Sequence, residues 1–317
     1  MGFAKKRIIP GADGDAGRDG GGDMGKLGRA GRLGWALAFF FCAPAFAVPQ
    51  AVVERVQMPA WLDRAGVSQP LAVGMAVNNG DRIRTGAKAR AYLKLAEGST
   101  VKLGERAAFL FYSRSLRPAQ AFRGAFDVVR GAFRFTTGAL ARLRASRDID
   151  IRVGTATVGI RGTDLWGKST ADRDLVVLIE GEIEVRHAAQ SLTMTQPMSL
   201  FVAPRNAPAL PVAPVDPGQF RIWARETEIL PGDGAAKRGG RWAVRLASVA
   251  DETAALAVYD RARTAGYAAQ IRPRATAGKA GKWSYEILLA HLASEQDAAV
   301  LARRVGVELG YAAVPTR

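Results

Sequence analysis

The apolar positions between residues 71 and 203 follow the period of β-strands. They recur at every second residue in short runs, which is the spacing of strands with one buried face. In residues 89–95 the odd-numbered positions are Ala or Leu, whereas the even-numbered positions are Arg, Tyr and Lys. Such runs lie about ten residues apart, which predicts an all-β domain built as a sandwich, roll or short solenoid.

The last 77 residues, 241–317, have a different pattern. Two stretches of helix-forming composition each begin after a good N-cap residue, Asp251 or Ser294, and end at a glycine. The predicted strands are 242–248, 267–273, 283–289 and 311–314, and the predicted helices are 253–265 and 295–309. The order β-α-β-β-α-β predicts an α+β, ferredoxin-like domain.

Residues 204–240 lie between these two predicted domains and contain six prolines. Proline at this density disfavours helices and central strands, so the segment is predicted to be a Pro/Gly-rich linker. A short docked helix at 220–229 is the one element expected inside it. Residues 48–70 are predicted to be a lead-in to the β domain.

The N-terminal sequence has the features of a secretory signal. Residues 1–23 are Gly- and Asp-rich and are expected to be disordered or to precede the true start, Met24. Basic residues, the apolar run 33–42 and Ala45-Phe-Ala47 follow, which predicts a signal peptide at 24–47 and a periplasmic protein. The apolar run is too short for a stable membrane span, although an uncleaved leader that anchors the chain to the inner membrane is the alternative.

The charge and the rare residue types restrict the function. The chain has 45 Lys+Arg against 29 Asp+Glu, a net charge of +16, which suits a polyanionic partner or simply reflects solvated arginines. Its single cysteine, Cys42, lies in the leader, and the only histidines are His187 and His291. We therefore expect no disulfide, no metal site and no cofactor. No catalytic motif is present, so we predict a protein that is not an enzyme.

Arginine and phenylalanine alternate in part of the β domain. This interleaving is compatible with a nucleic-acid interface. However, an exported protein rarely meets nucleic acid, so we predict phenylalanines in the core, arginines in solvent and no nucleic-acid partner. The residues are Arg117, Arg123, Arg130, Arg134, Arg142, Arg144 and Arg147, with Phe122, Phe126, Phe133 and Phe135.

The stretch Val-Gly-Ile-Arg-Gly-Thr-Asp-Leu at 158–165 is followed by the hairpin Val-Leu-Ile-Glu-Gly-Glu-Ile-Glu-Val at 177–185. Together with residues 80–86 and 97–104, it resembles the FecR domain, a periplasmic β-rich module first known from iron-siderophore signalling. The resemblance implies a β fold over 71–203 and a binding or scaffolding role.

Four residues form the central structural motif of this stretch: Arg161, Gly162, Thr163 and Asp164. We expect Arg161 and Asp164 to form an ion pair that holds the central turn. The alternative role of this pair is a protein-contact site.

Residues 241–317 resemble a second family. Arg-Trp-Ala-Val-Arg-Leu-Ala-Ser at 241–248, Ala-Gly-Tyr at 265–267, Trp-Ser-Tyr-Glu-Ile-Leu-Leu at 283–289 and Ser-Glu-Gln-Asp-Ala at 294–298 are similar to the SPOR domain. That domain binds peptidoglycan glycan strands stripped of stem peptides and often directs proteins to the cell-division septum. This chain differs from the common family pattern at Arg245, at 247–249 and at 290–291.

The SPOR resemblance implies a glycan site at Arg245, Ser248, Trp283 and Tyr285. Aromatic rings would stack on sugars, while Arg245 and Ser248 would bind hydroxyls or lactyl carboxylates. The alternative is that Trp283 and Trp242 are core residues.

The sequence thus predicts an exported, non-enzymatic envelope protein that binds glycan strands and presents its β domain to a protein or ligand. The alternative is a periplasmic FecR-type signalling module, although the N-terminal anti-sigma helices of such regulators are absent from this sequence.

Overall fold

Two β-sheets that share one long strand make up the described residues between 50 and 204. The structure is a computed structural model and describes residues 50–115, 122–139, 147–160, 162–275 and 283–317. The strands up to residue 204 are β1 (Ala51–Gln57), β2 (Ala60–Arg64), β3 (Val67–Pro70), β4 (Ala76–Val77), β5 (Arg82–Thr85), β6 (Arg90–Leu95), β7 (Thr100–Leu103), β8 (Ala108–Ser115), β9 (Phe122–Thr136), β10 (Arg147–Val153), β11 (Ala156–Ile160), β12 (Asp164–Ser169), β13 (Arg173–Glu180), β14 (Ile183–His187), β15 (Gln190–Met194) and β16 (Ser199–Pro204).

Strand β9 belongs to both sheets. Its second half pairs with β7 and β12 in the first sheet, which runs β1-β6-β7-β9-β12-β13-β16. Its first half pairs with β8 and, in parallel, with β10 in the second sheet, which runs β3-β2-β5-β8-β9-β10-β11-β14-β15. Between the halves lies Gly131, with φ +92° and with the site of a Cβ 2.6 Å from Ala107 Cα, so only glycine fits this bend.

The inner faces of the two sheets enclose the core. Phe109, Phe126, Phe133 and Phe135 are buried there, and the Phe109 and Phe126 rings stack with centroids 5.7 Å apart. The all-β prediction and the predicted core placement of Phe126, Phe133 and Phe135 are therefore confirmed.

The arginine prediction needs a correction. Arg130 is exposed, as expected, but Arg134 is largely buried and ion-paired with Asp164 on the outer face of the first sheet. The side chains of the other interleaved residues, among them Phe122, Arg123 and Arg147, lie outside the described residues.

The segment predicted as a linker is packed on the outer face of the first sheet. It contains β17 (Ala213–Pro214), α1 (Pro217–Arg225) and β18 (Ala236–Lys237). Helix α1 begins three residues before the predicted helix because Asp216 accepts a hydrogen bond from Gln219 N and proline occupies the first turn. Phe220 and Trp223 of α1 pack onto the outer face beside Trp166.

After α1, residues 226–230 cross the outer face, and we call them the strap. The Glu228 carboxylate accepts hydrogen bonds from Lys102 Nζ at 2.6 and 2.8 Å and from Tyr92 Oη at 3.1 Å. Arg134 Nη1 lies 3.3 Å from the same carboxylate. Burial opposes ionisation of Glu228, but the hydrogen bond and charge of Lys102, together with Tyr92 and Arg134, lower its pKa below the usual value.

The remaining elements are β19 (Trp242–Val249), α2 (Glu252–Thr264), β20 (Ala269–Ala275), β21 (Trp283–Leu292), α3 (Glu295–Leu309) and β22 (Val314–Thr316). The strands pair antiparallel in the order β22-β19-β21-β20, and both helices pack on one face. The predicted caps are confirmed: Asp251 and Ser294 accept from backbone N–H groups, and Gly310 is left-handed with φ +74°.

Strand β18 joins this C-terminal sheet to the first sheet. Its Ala236 pairs with Val56 of β1 and with Leu292 of β21, and all three residues are buried. The described residues therefore form one compact unit, in which the segment predicted as a linker supplies a connecting strand.

Candidate functional site

One face of the C-terminal sheet is covered by helices, whereas the other is exposed at Ser248, Gln270 and Arg272 and buries Leu288 beside Arg245. Ser248, Glu286 and Arg272 are register partners across β19, β21 and β20. The adjacent Ile287 is fully buried with Ala255 of α2 and Leu301 of α3 in the same core cluster. Because successive side chains alternate between the faces, Ser248, Glu286 and Arg272 lie on the uncovered side. We call this side the open face.

A β-bulge brings Arg245 to the same face as Ser248. Residues three apart in a regular strand point to opposite faces. Here the register shifts between Arg245 and Ala247, so that Arg245 pairs with Leu288 and Ser248 with Glu286. Residues 286 and 288 lie on the same face of β21. The bulge therefore places their partners, Ser248 and Arg245, on that face as well.

Glu286 lies at the centre of the open face between two guanidinium groups. Its Oε1 is 3.5 Å from Arg245 Nη1, and its Oε2 is 3.1 Å from Arg274 Nε. The hydrogen bond from Arg274, followed by the charges of Arg274 and Arg245, outweighs partial burial and lowers the pKa of Glu286. Arg272 forms no ion pair with any described residue, so the face keeps an excess of positive charge.

The structure separates the four predicted glycan contacts. Arg245 and Ser248 share the open face, whereas Tyr285 pairs with Val249 and Pro273 and packs its ring against the core on the helix side. Trp283 is two residues before Tyr285 and so lies on the same face of β21. It is at the start of the strand and is 52% exposed. Trp242 is half-buried and packs against the core.

Sequence reasoning did not identify Glu286, Arg272 or Arg274 as members of this face. Arg272 and Arg274 alternate with the apolar residues Ile271 and Pro273 along β20. This alternation could have predicted that both arginines lie on the polar face of the strand. Arg272 lies opposite Glu286 and Arg274 opposite Ser284, and this register of β20 and β21 is specified by no residue pattern.

The predicted structural motif lies where several loops meet. Thr163 is fully buried; its N–H donates to Thr137 Oγ1, and the Thr137 hydroxyl donates to Thr163 O, both at 2.9 Å. A Cβ on Gly181 would lie 2.7 Å from Gly162 O. Asp164 accepts from Arg134 at 3.0 and 2.7 Å, whereas Arg161, its predicted partner, lies outside the described residues.

Neither a metal centre nor a membrane helix is present in the described part of the chain. No group of three or more His, Cys, Asp or Glu side chains there is suited to hold a metal ion. No helix in the same residues is both long and apolar enough to cross a membrane.

Comparison with known families identifies part of the β region. Residues 81–184, which include β5 to β13 and the start of β14, match the family model described as FecR protein. This segment is a FecR domain. The resemblance seen in the sequence is confirmed for these residues, and the central motif Gly162–Asp164 falls inside the FecR domain.

Curated proteins give no match to this chain. Two solved structures of a putative anti-sigma factor from Parabacteroides distasonis are similar to it. One is 14% identical and has a TM-score of 0.38, with 45% of this chain and 64% of that chain covered. The other is 12% identical and has a TM-score of 0.38, with 72% of this chain and 91% of that chain covered. The chain thus spans less than two thirds of the length of the first of these structures.

Proposed function

We propose that the protein is an exported, non-enzymatic envelope protein that binds peptidoglycan glycan strands stripped of their stem peptides. Binding is by residues 241–317, which we call the C-terminal unit. The observation that carries this proposal is the open face, on which Arg245, Ser248, Arg272 and Arg274 surround Glu286. The order β-α-β-β-α-β and the antiparallel pairing of residues 242–316 support a ferredoxin-like, SPOR-type unit.

The chemistry of stripped glycan matches this face. Removal of stem peptides leaves free lactyl carboxylates on the sugars, and a guanidinium donates two parallel hydrogen bonds to a carboxylate. Ser248, which is exposed, supplies a hydroxyl for sugar hydroxyl or amide groups. Trp283 is about half exposed at the start of β21, but strand alternation puts it on the same side as Tyr285, away from the open face.

Glu286 positions two of the guanidinium groups before a ligand arrives. Its ion pairs hold Arg245 and Arg274 on the open face, so less side-chain freedom is lost on binding. A ligand carboxylate would then share the guanidinium donors that Glu286 leaves free.

The FecR domain has the second role in this proposal. It presents a surface to an envelope protein while the C-terminal unit holds the molecule at the wall. The signal peptide proposed for residues 24–47 would export both parts, and cleavage would leave a periplasmic protein. Enrichment at division septa would follow, because stripped glycan accumulates where the septal wall is being split.

The test is sedimentation of the purified protein with sacculi before and after amidase treatment. We expect more protein to sediment with treated sacculi, and we expect Arg272→Gln/Arg274→Gln to lose most of this gain. Arg82→Gln/Lys88→Gln removes two exposed charges from the β5 region and should bind like the wild type. Equal retention by treated and untreated sacculi would refute the proposal.

A second candidate is a FecR-type regulatory module, which the FecR domain at 81–184 favours. In this role the β region would relay the occupancy of a receptor to a transmembrane partner. Co-purification of the protein with an outer-membrane receptor or a sigma-factor regulator, without binding to sacculi, would place this candidate first.

A further inference from the structure

The outer face of the first sheet continues directly into the open face. Val56, Ala236 and Leu292 pair in register from β1 through β18 to β21 and are buried in one core. The residue pair next to Val56 and Ala236 is Arg55 and Lys237. Side chains alternate along a strand, so Arg55 and Lys237 point away from the core, to the same side as the open face.

Arg55 and Lys237 form a like-charge pair directly across the two strands. Cross-strand partners have Cβ atoms about 5 Å apart, and like charges at that distance destabilise a sheet. The Arg55 guanidinium lies 5.9 Å from the centre of the Tyr92 ring. Neither residue forms an ion pair with a carboxylate in the described ranges of the chain. Their repulsion would be relieved by an anion bound between them.

Lys237, Arg272 and Arg274 follow the same edge of β21. Leu292 pairs with Trp242 of β19 on one edge, so its other partner, Ala236 of β18, must lie on the opposite edge. Strand β20 also occupies that opposite edge, from Ala269 to Ala275. At about 3.3 Å per residue, the row from Lys237 to Arg274 is roughly 23 Å long.

The strap and its contacts border this row on the side of the first sheet. Ile229 and Ala235 cover the Tyr92 ring, which leaves Arg55 half-buried at their margin. Along the row itself, Glu286 is the one carboxylate among the described residues that pairs with an arginine of the open face. A narrow, bordered row of cations complements a linear polyanion better than a flat membrane surface.

We propose that Arg55, Lys237, Arg272 and Arg274 form one continuous track for a carboxylate-bearing glycan strand, so that the first sheet contributes directly to binding. This inference rests on the proposed glycan binding and extends it beyond residues 241–317. Binding then requires the fixed arrangement of β1, β18 and β20, and the C-terminal unit alone binds more weakly than the whole protein.

The test uses the full chain and amidase-treated sacculi, with Arg55→Gln/Lys237→Gln as the variant and Arg82→Gln/Lys88→Gln as the control for total charge. We expect the affinity of Arg55→Gln/Lys237→Gln to fall roughly three- to tenfold and its salt dependence to weaken, while the control is unchanged. Blocking the glycan carboxylates with carbodiimide and glycinamide should remove the difference between the two variants.

The outcomes separate this inference from the proposed function. If the wild type binds treated sacculi and only Arg272→Gln/Arg274→Gln loses affinity, the track is refuted and the C-terminal site stands. If the wild type does not bind sacculi at all, both fail. In a third outcome, Arg55→Gln/Lys237→Gln loses binding to phosphatidylglycerol vesicles but binds sacculi as the wild type does. That result would assign the pair to a membrane contact and refute the glycan track.

Discussion

The indole rings of Trp166 and Trp223 are stacked, with centroids 5.6 Å apart and planes inclined by 5°. Trp166 belongs to β12 of the FecR domain and is fully buried, whereas Trp223 lies on α1 in the segment that its proline content marks as a linker. This contact explains why the segment lies on the sheet. Without α1, the Trp166 indole on the outer side of β12 would be exposed to water.

Replacing Trp223 with alanine should detach α1 from the sheet. We expect Trp223→Ala to lower the free energy of unfolding by about 2–4 kcal/mol, because it removes the stacked ring and uncovers Trp166. Ile222→Ala, at a side chain that is 65% exposed on the same helix, should change it by less than about 0.5 kcal/mol. Urea denaturation measures both. Equal effects of the two substitutions would mean that α1 is not anchored by the ring.

Glu228→Gln should destabilise the strap. The substitution removes the carboxylate that Lys102 and Arg134 share and leaves two largely buried cations without it. We expect a loss of about 1–2 kcal/mol in the free energy of unfolding and faster proteolysis within 204–240. Asp172→Asn, which breaks an exposed ion pair with Arg173, should cost less than about 0.5 kcal/mol. If proteolysis starts at the same sites and rate in both variants, the strap is not held by Glu228.

Stability should fall at acid pH, in part through Glu228 and Glu286. Both have a folded-state pKa below the usual value of 4.5, so their contribution is present above pH 4.5 and is lost as the pH falls through the lowered pKa. Glu228→Gln should therefore show a smaller loss of stability below pH 4.5 than the wild type. Unfolding curves at several pH values on each side of 4.5 test this, and parallel curves for the two proteins would contradict it.

Gly266 should be far less tolerant of alanine than Gly310. Both follow helices and have positive φ, +86° and +74°. A Cβ at 266 would lie 2.5 Å from Trp61 Cζ2, whereas a Cβ at 310 meets open space. We expect Gly310→Ala to cost about 1 kcal/mol and Gly266→Ala about 1–3 kcal/mol more, measured by thermal unfolding. Similar costs would show that the packing of α2 on Trp61 is loose.

Local signals allowed much of this fold to be predicted. Asp251, Ser294 and Gly310 act as helix caps because a cap depends only on the residues within one turn. Alternation likewise located the strands, and Phe126, Phe133 and Phe135 are buried as predicted. The FecR motif identified the β region through its spacing.

Long-range pairing was the part that the sequence did not reveal. The partner of Asp164 is Arg134 on a neighbouring strand, and Glu228 binds Lys102, which is 126 residues away. Proline content correctly disfavoured a long helix in 204–240, but it carries no information about docking against a distant sheet. The open face depends similarly on a bulge at Arg245 and on the register of β20, both set by contacts between strands.

Ser248 offers the most direct test of glycan binding by the open face, because it is exposed and lies beside Glu286. The measurement is the fraction of Ser248→Trp that sediments with amidase-treated sacculi, after thermal unfolding has shown that the variant is folded. We predict that an indole in the middle of the face blocks the strand and lowers the bound fraction to that seen with untreated sacculi. Retention of folded Ser248→Trp equal to that of the wild type would contradict a glycan site on this face.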